Sequence, residues 1–155
     1  MTKTNAVRIL DSNNISYSLH EYDVDENDLS GISVAVKIGA DTDSVFKTLV
    51  ASGDKNGTFV FCVPVSQELN LKKAASVSEN KKIELVKVKD LLNLTGYIRG
   101  GCSPIGMKKK YPVYIDETAQ LFDEIYVSAG VRGMQIKLSP AGLVALLDAQ
   151  FCDLI

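Results

Sequence analysis

Hydrophobic positions change their period several times along the chain, and each change marks an element. Residues 4–14 place Ala6, Val7, Ile9 and Leu10 at near-helical spacing, with Thr4 as N-cap and Asn13-Asn14 as a stop. Residues 15–22 alternate Ile15, Tyr17 and Leu19 against Ser16, Ser18 and His20, which predicts a half-buried strand. An acidic, solvated connection follows over 23–28, then a short helix over 33–38 that buries Val34, Ala35 and Ile38 and ends at Gly39. Residues 45–51 leave little polar surface, which predicts a central strand covered on both faces. A second buried strand over 58–65 is joined to it as a hairpin by the turn chemistry of 52–57.

Helical spacing returns over 69–76 and 88–94, flanking an apolar piece at 83–86 that reads as either strand or loop. Strands are predicted over 113–116, 124–128 and 134–138, the last two forming a hairpin around Ala129-Gly130-Val131-Arg132-Gly133. Ser139 and Pro140 open a helix over 139–147, and 150–155 make a final strand. This order is neither regularly βαβ nor all-β. It predicts one α+β domain over residues 1–155, a mixed, partly barrel-like sheet surrounded by helices. A chain of 155 residues is long enough to bury roughly two thirds of the surface its unfolded form exposes.

Composition narrows the chemistry. With 46% hydrophobic residues and no apolar run near the ~20 needed to cross a bilayer, no membrane partner is expected. The Met-Thr-Lys-Thr-Asn start lacks the apolar core of a secretory signal, so a cytoplasmic location is expected. Cys62, Cys102 and Cys152 are widely spaced with no Cys-x-x-Cys pair, which argues against a disulfide framework or a zinc site. The single histidine, His20, leaves few imidazole-based catalytic arrangements. A net charge of -2 excludes global polyanion affinity while permitting a local basic patch.

Residues 95–107 hold four glycines and are followed at once by Lys108, Lys109 and Lys110. So glycine-rich a stretch must be a loop, either a connecting turn or a cradle whose exposed N–H groups hold an oxygen ligand. It is not a P-loop, because Gly-x-x-x-x-Gly-Lys-Ser/Thr is absent. Lys47 shares a strand face with Val45 and Leu49, so it either snorkels from an edge or needs an anionic partner, a bound ligand or a neutral amine. Ser128 ends its strand beside the Gly130 turn, placed either to start the turn or to meet a polar ligand. Cys102 is a nucleophile only if a base reaches it, and is otherwise an ordinary loop cysteine. Arg99 with Lys108, Lys109 and Lys110 suits a phosphate backbone, or is a solvated charge run.

Four motifs bring these residues together. Phe46-Lys47-Thr48-Leu49, Leu71-Lys72-Lys73-Ala74-Ala75, Gly96-Tyr97 through Gly100-Gly101-Cys102-Ser103-Pro104-Ile105-Gly106, and Tyr126-Val127-Ser128-Ala129-Gly130 through Arg132-Gly133 resemble, in order and spacing, the YbaK family of aminoacyl-tRNA deacylases. That family is similar to the editing domain of bacterial prolyl-tRNA synthetases. The resemblance implies removal of cysteine from tRNA(Pro), with tRNA(Cys) as a further substrate; no cofactor or metal is expected. It also implies partnership with the aminoacylated tRNA 3′ end and with prolyl-tRNA synthetase. Lys47, Gly100, Gly101 and Ser128 match the family's catalytic positions. Tyr22 matches a pocket tyrosine, and Cys102, Ser103 and Pro104 lie within the substrate-loop motif. The resemblance further implies that the substrate's own thiol attacks its ester. An alternative within the same class is an Ala-tRNA(Pro) deacylase using an activated water, and one of a different class is a non-catalytic tRNA- or synthetase-binding module.

Overall fold

The computed structural model describes residues 3–55 and 57–155. Met1 and Thr2, part of the start read above for a leader, and Asn56, inside the predicted 52–57 turn, lie outside the described residues.

Local capping chemistry sets the helices. α1 (Asn5–Ser12) starts where the Thr4 side chain accepts the Val7 N–H. α2 (Gly31–Ile38) begins two residues earlier than its apolar spacing suggested, because Ser30 caps it by accepting the Ser33 N–H, and Gly39 ends it at φ +69°. α3 (Leu71–Val77) is capped by Asn70, and α4 (Val88–Thr95) stops at Gly96, φ +85°. α5 (Pro140–Leu147) has the Ser139 cap and leading proline read from the sequence. A 3-10 turn over Glu117–Leu121 was not foreseen.

The strands are β1 (Tyr17–Glu21), β2 (Phe46–Gly53), β3 (Thr58–Pro64), β4 (Ile83–Leu85), β5 (Val113–Asp116), β6 (Ile125–Ser128), β7 (Met134–Leu138) and β8 (Gln150–Cys152). β8 is shorter than the 150–155 stretch predicted. There the chain leaves the sheet: Leu154 donates its N–H to the buried Asp116 carboxylate, 2.9 Å away, and its carbonyl accepts the Asn70 N–H at 2.7 Å. The strands form an antiparallel sheet in the order β1-β7-β6 and a mixed sheet in the order β4-β2-β3-β5-β8, with β3-β5 and β5-β8 parallel. The class is α+β, as expected. The sheets do not close into a barrel; they meet at a single parallel bridge, Val45 to Tyr126.

Most of the core lies between the two sheets. Phe46, Val60 and Cys62 from the mixed sheet face Ile125, Val127, Ile136 and Leu138 from the antiparallel one, sealed by Ala6, Val7 and Leu10 of α1 and Leu143 of α5. The opposite face of β2 and β3 carries two smaller clusters. Ala51, Phe61 and Val63 pack under α3, and Val45 and Val65 pack with Ala35 of α2 and Tyr126. Gly31 lets α2 come close: a Cβ there would lie 2.2 Å from Val65. By strand alternation Lys47 falls on this second face, between the two clusters.

One irregularity in the pairing creates space. β3 pairs along the whole of β2 from Phe46 to Ser52, but β4 covers only Ala51 to Gly53 on the other side. β6 is bridged to this edge at Val45, the residue before β2, where Tyr126 donates its N–H to the Ser44 carbonyl at 3.0 Å, and it forms no ladder with β2 itself. Between these contacts β2 has one edge open. The strand is therefore internal in sheet order yet unpaired on one side at Lys47, a combination that neither sequence reading anticipated.

Replacing the fully buried Ile136 with alanine removes a side chain at the centre of the main core. Urea denaturation of Ile136→Ala should show a loss of about 2–5 kcal/mol; a loss below ~1 kcal/mol would contradict this packing.

Candidate active site

The open edge of β2 forms one wall of a cavity of about 490 Å³. Val45 to Val50 line it from β2 and its lead-in, Leu85, Val86, Val88 and Leu91 from β4 and α4, and Ser128 and Gln135 from the antiparallel sheet. Arg99, Gly100 and Cys102 contribute from the glycine loop, and Leu29, Ser30 and Gly31 from the start of α2. Val50 accepts the Val86 N–H through its carbonyl, so by alternation the N–H and C=O of Thr48 point into the gap. The helix N-terminus and Lys47 together favour an electron-rich ligand group here.

Lys47 is half-buried, its side chain 26% exposed, and its ammonium lies 3.5 Å from Glu68, whose side chain is 95% exposed. Of the partners expected from sequence, this is the anionic one, but an exposed carboxylate at that distance holds an ammonium weakly. The lysine is available to a ligand. Ser128 is buried, and its oxygen accepts the Gly130 N–H at 3.1 Å, which leaves its hydroxyl hydrogen free to donate. His20 does not line the cavity: its ring meets Ser18 at 3.0 Å and stacks edgewise on Tyr126.

The glycine loop is held by specific contacts. The Tyr97 hydroxyl donates to the Ile105 carbonyl, and its ring sits where a Cβ on Gly130 (φ +99°) would come within 2.9 Å. Arg132 donates from Nε to the Arg99 carbonyl at 2.9 Å. At Gly101 a Cβ would approach the Val131 and Arg132 backbone to 3.2 Å, so this glycine lets the loop and the β6–β7 turn lie in contact. The Gly101 N–H is already given to the Ile98 carbonyl. Gly100 and Cys102, which flank it, line the cavity. Burial pushes the Cys102 thiol up to about 11, so it is a neutral thiol at physiological pH.

The structure thus brings Lys47, Gly100, Cys102, Ser128 and Arg99 together. It places the other expected residues elsewhere. Ser103 is fully buried, with its oxygen turned inward to accept the Ile105 N–H, and Pro104 lines a separate cavity of about 270 Å³ beside Ile9, Tyr111 and Leu146. Lys109 and Lys110 border that second cavity, and Lys110 lies 3.8 Å from Asp148. Tyr22 follows β1, donates its N–H to the Gly133 carbonyl and does not line the main cavity. Sequence reading missed Gln135, Glu68 and Arg132. Only the strand register and loop contacts bring these to the site. No group of His, Cys, Asp and Glu among the described residues is arranged to hold a metal ion, all three cysteines are free, and no described helix is long and apolar enough to cross a membrane.

Fold and site define an aminoacyl-tRNA editing enzyme, a deacylase by reaction. Residues 30–146 match the family described as aminoacyl-tRNA editing domain, and the chain belongs to it. It is 49% identical over 152 residues, 98% of this chain and 93% of the relative, to the Enterococcus faecalis protein described as "Putative Cys-tRNA(Pro)/Cys-tRNA(Cys) deacylase EbsC". It is 25% identical over 126 residues, 79% of this chain and 80% of the relative, to "Uncharacterized protein YwhH" of Bacillus subtilis. The fold is also that of a solved structure described as "a putative trans-editing enzyme for prolyl tRNA synthetase", with a TM-score of 0.82, 24% identity and coverage of 99% of this chain and 98% of that one.

A neutral Cys102 should be a poor nucleophile. Its alkylation by iodoacetamide at pH 7.5 should run at least about tenfold slower than that of free cysteine and rise steeply only as pH approaches 11. Rapid labelling at neutral pH would contradict the assignment.

Proposed function

We propose that this chain removes cysteine from mischarged Cys-tRNA(Pro), and from Cys-tRNA(Cys), as a free-standing proofreading enzyme. The observation that carries the reading is the convergence of Lys47, Ser128, Gly100 and Cys102 on one cavity, in a chain 49% identical to a relative described by that activity. Cysteine and proline are close in size, and an apolar pocket separates such ligands by only ~1–3 kcal/mol per small group, so a second sieve is useful.

In this reading the acyl carbonyl lies against the Lys47 ammonium and the main-chain donors of Gly100 and Cys102. Each well-placed donor to the developing oxyanion lowers the barrier by roughly 3–4 kcal/mol. Gly101 contributes through its lack of a side chain, which keeps the loop seated. Lys47 exchanges its loose contact with Glu68 for the substrate. Arg99 meets the backbone of the tRNA terminus at the mouth, and Lys108, Lys109 and Lys110 meet it away from this cavity. The roles of Tyr22, Ser103 and Pro104 are then indirect, in shaping the loops around the site.

The nucleophile comes from the substrate. No cavity-lining serine or cysteine among the described residues is paired with an imidazole: Ser128 accepts from Gly130, Cys102 is neutral, and the His20 ring meets Ser18, which does not line the cavity. The cysteinyl sulfur forms a bond to its own carbonyl carbon, the ester C–O bond breaks, and the thiol proton passes to the departing ribose oxygen. The products are a cyclic thiolactone and free tRNA. Prolyl-tRNA synthetase is a fitting partner, since a chain of net charge -2 has little general affinity for tRNA and needs another source of acceptor choice.

Lys47→Ala should lower kcat/KM on Cys-tRNA(Pro) by about 10²- to 10³-fold, and Cys102→Ala should keep most activity. The wild type should release cysteine while sparing Ala-tRNA(Pro) and Pro-tRNA(Pro). Faster release of alanine would favour the water-using relative, and tRNA binding with no turnover of any ester would favour a binding module. Affinity for tRNA should fall roughly 10- to 100-fold between 50 and 200 mM salt. An affinity indifferent to salt, or to replacing Arg99 and Lys108 to Lys110 by alanine, would exclude these phosphate contacts.

A further inference from the structure

The two lips of the main cavity carry opposite charge. Residues 21–43, which supply the α2 lip, hold seven carboxylates against one lysine, whereas residues 81–110, which supply the β4–α4 lip and the glycine loop, hold eight cations against two carboxylates. On the α2 lip Asp28 adjoins the lining residue Leu29, and hydrogen bonds from the Ser30 hydroxyl and N–H hold its carboxyl below the usual carboxylate range. The roughly half positive charge of a helix N-terminus does not offset such a run of carboxylates. On the β4–α4 lip Lys87 lies between the lining residues Val86 and Val88, and Lys89 follows. Both lysines are exposed, and neither has an ion-pair partner among the described residues. The same lip is apolar where it meets solvent: Leu85 and Val88 line the cavity yet are 50% and 62% exposed. Exposed apolar side chains gathered at a cavity mouth mark a contact surface.

An aminoacyl ester seated in the cavity is joined through its ribose to a polynucleotide, and that chain has to leave through the mouth over one lip or the other. Phosphates crossing the α2 lip meet carboxylates, while phosphates crossing the β4–α4 lip meet ammonium groups that have no other partner. Single-stranded nucleotides bind where cations track the backbone and apolar side chains cover the base faces, and the second lip supplies both. We propose that the 3′-terminal single strand of the tRNA leaves the cavity across the β4–α4 lip, with its phosphates at Lys87 and Lys89 and its bases against Leu85 and Val88. The carboxylates of residues 21–43 keep it off the opposite lip, so the acceptor end approaches from one side only. This inference rests on the proposed deacylase reading of the same cavity.

The test pairs two stable ligands with four proteins. The ligands are 3′-cysteinylamino-3′-deoxyadenosine and the same nucleoside extended on its 5′ side by two cytidylates, which adds two bases and two phosphates. The proteins are wild type, Lys87→Ala/Lys89→Ala, Val88→Ser, and Arg8→Ala/Lys72→Ala, a charge-matched control on exposed positions of α1 and α3. Calorimetry gives each Kd, thermal melting reports folding, and a separate assay follows wild-type turnover of Cys-tRNA(Pro). The wild type should bind the extended ligand at least about tenfold more tightly than the nucleoside. That gain should shrink roughly 5- to 10-fold between 50 and 200 mM salt, as two phosphate contacts require. Lys87→Ala/Lys89→Ala should cut the gain to within about threefold while leaving nucleoside affinity unchanged, Val88→Ser should lose part of it, and the control should keep it. Equal affinity of the wild type for both ligands, a gain retained in Lys87→Ala/Lys89→Ala, or an equal loss in the control would overturn the assignment. Loss of prolyl-tRNA synthetase binding in Lys87→Ala/Lys89→Ala, with the nucleotide gain intact, would overturn it in favour of a protein contact. The wild-type comparison and its salt dependence decide the matter even if a variant fails to fold. A lysine-dependent gain without turnover of Cys-tRNA(Pro) would sink the deacylase reading while sustaining the lip assignment, and binding of neither ligand would overturn both.

Discussion

The site depends on a failure of pairing. A strand inside a sheet normally has both edges satisfied, and β2 is satisfied on one edge along its length by β3. On the other edge the ladder with β4 runs only from Ala51 to Gly53 and β6 is bridged at Val45, just before β2, so neither ladder pairs the Thr48 main chain. Two sheets that meet at one bridge and then separate must leave a wedge between them. Helices α2 and α4 and the glycine loop roof this wedge without filling it. Lys47 sits at the wedge because it lies one residue from Thr48 and its side chain falls between two apolar clusters, with only Glu68 near its ammonium.

Chemical restraint inside the wedge follows from its surroundings. The hydroxyls and thiols that could act as nucleophiles are committed or neutral: Ser128 supports the β6–β7 turn, and burial keeps Cys102 protonated. The cavity instead supplies hydrogen-bond donors on rigid supports, which suits a ligand that carries its own reactive group. The rigidity is built from close approaches. Tyr97 rests on Gly130, Gly101 lies against Val131 and Arg132, and Arg132 clasps the Arg99 carbonyl. These contacts explain why glycines recur in both loops: at Gly100 and Gly130, φ values of +83° and +99° add a backbone requirement to the steric one.

Elements governed by local chemistry were legible in the sequence. The Thr4 and Ser139 caps, the glycine stop at Gly39, and the β6–β7 hairpin all depend on neighbours a few residues away. The parallel placement of β5 between β3 and β8, and the early end of β8 at the Asp116–Leu154 hydrogen bond, depend on distant segments and left no such mark. The same division runs through the site. Lys47 stood out as a cation among apolar residues, whereas Gln135 occupies what alternation alone presents as an ordinary polar position on β7. Its burial appears only when β6 and β1 are laid beside it. Ser103 and Pro104, grouped with the cradle by adjacency, turn away because the chain folds back after Cys102 to bury Ile105.

The central claim is that an aminoacyl group occupies the wedge between β2 and the glycine loop. A crystal structure of the protein with 3′-cysteinylamino-3′-deoxyadenosine tests it most directly. The account predicts the ligand's carbonyl oxygen about 3 Å from the Lys47 ammonium or from the Gly100 or Cys102 N–H, with the Lys47–Glu68 contact given up. Density for the ligand in the second cavity, beside Pro104 and Tyr111, with the wedge unchanged, would contradict it.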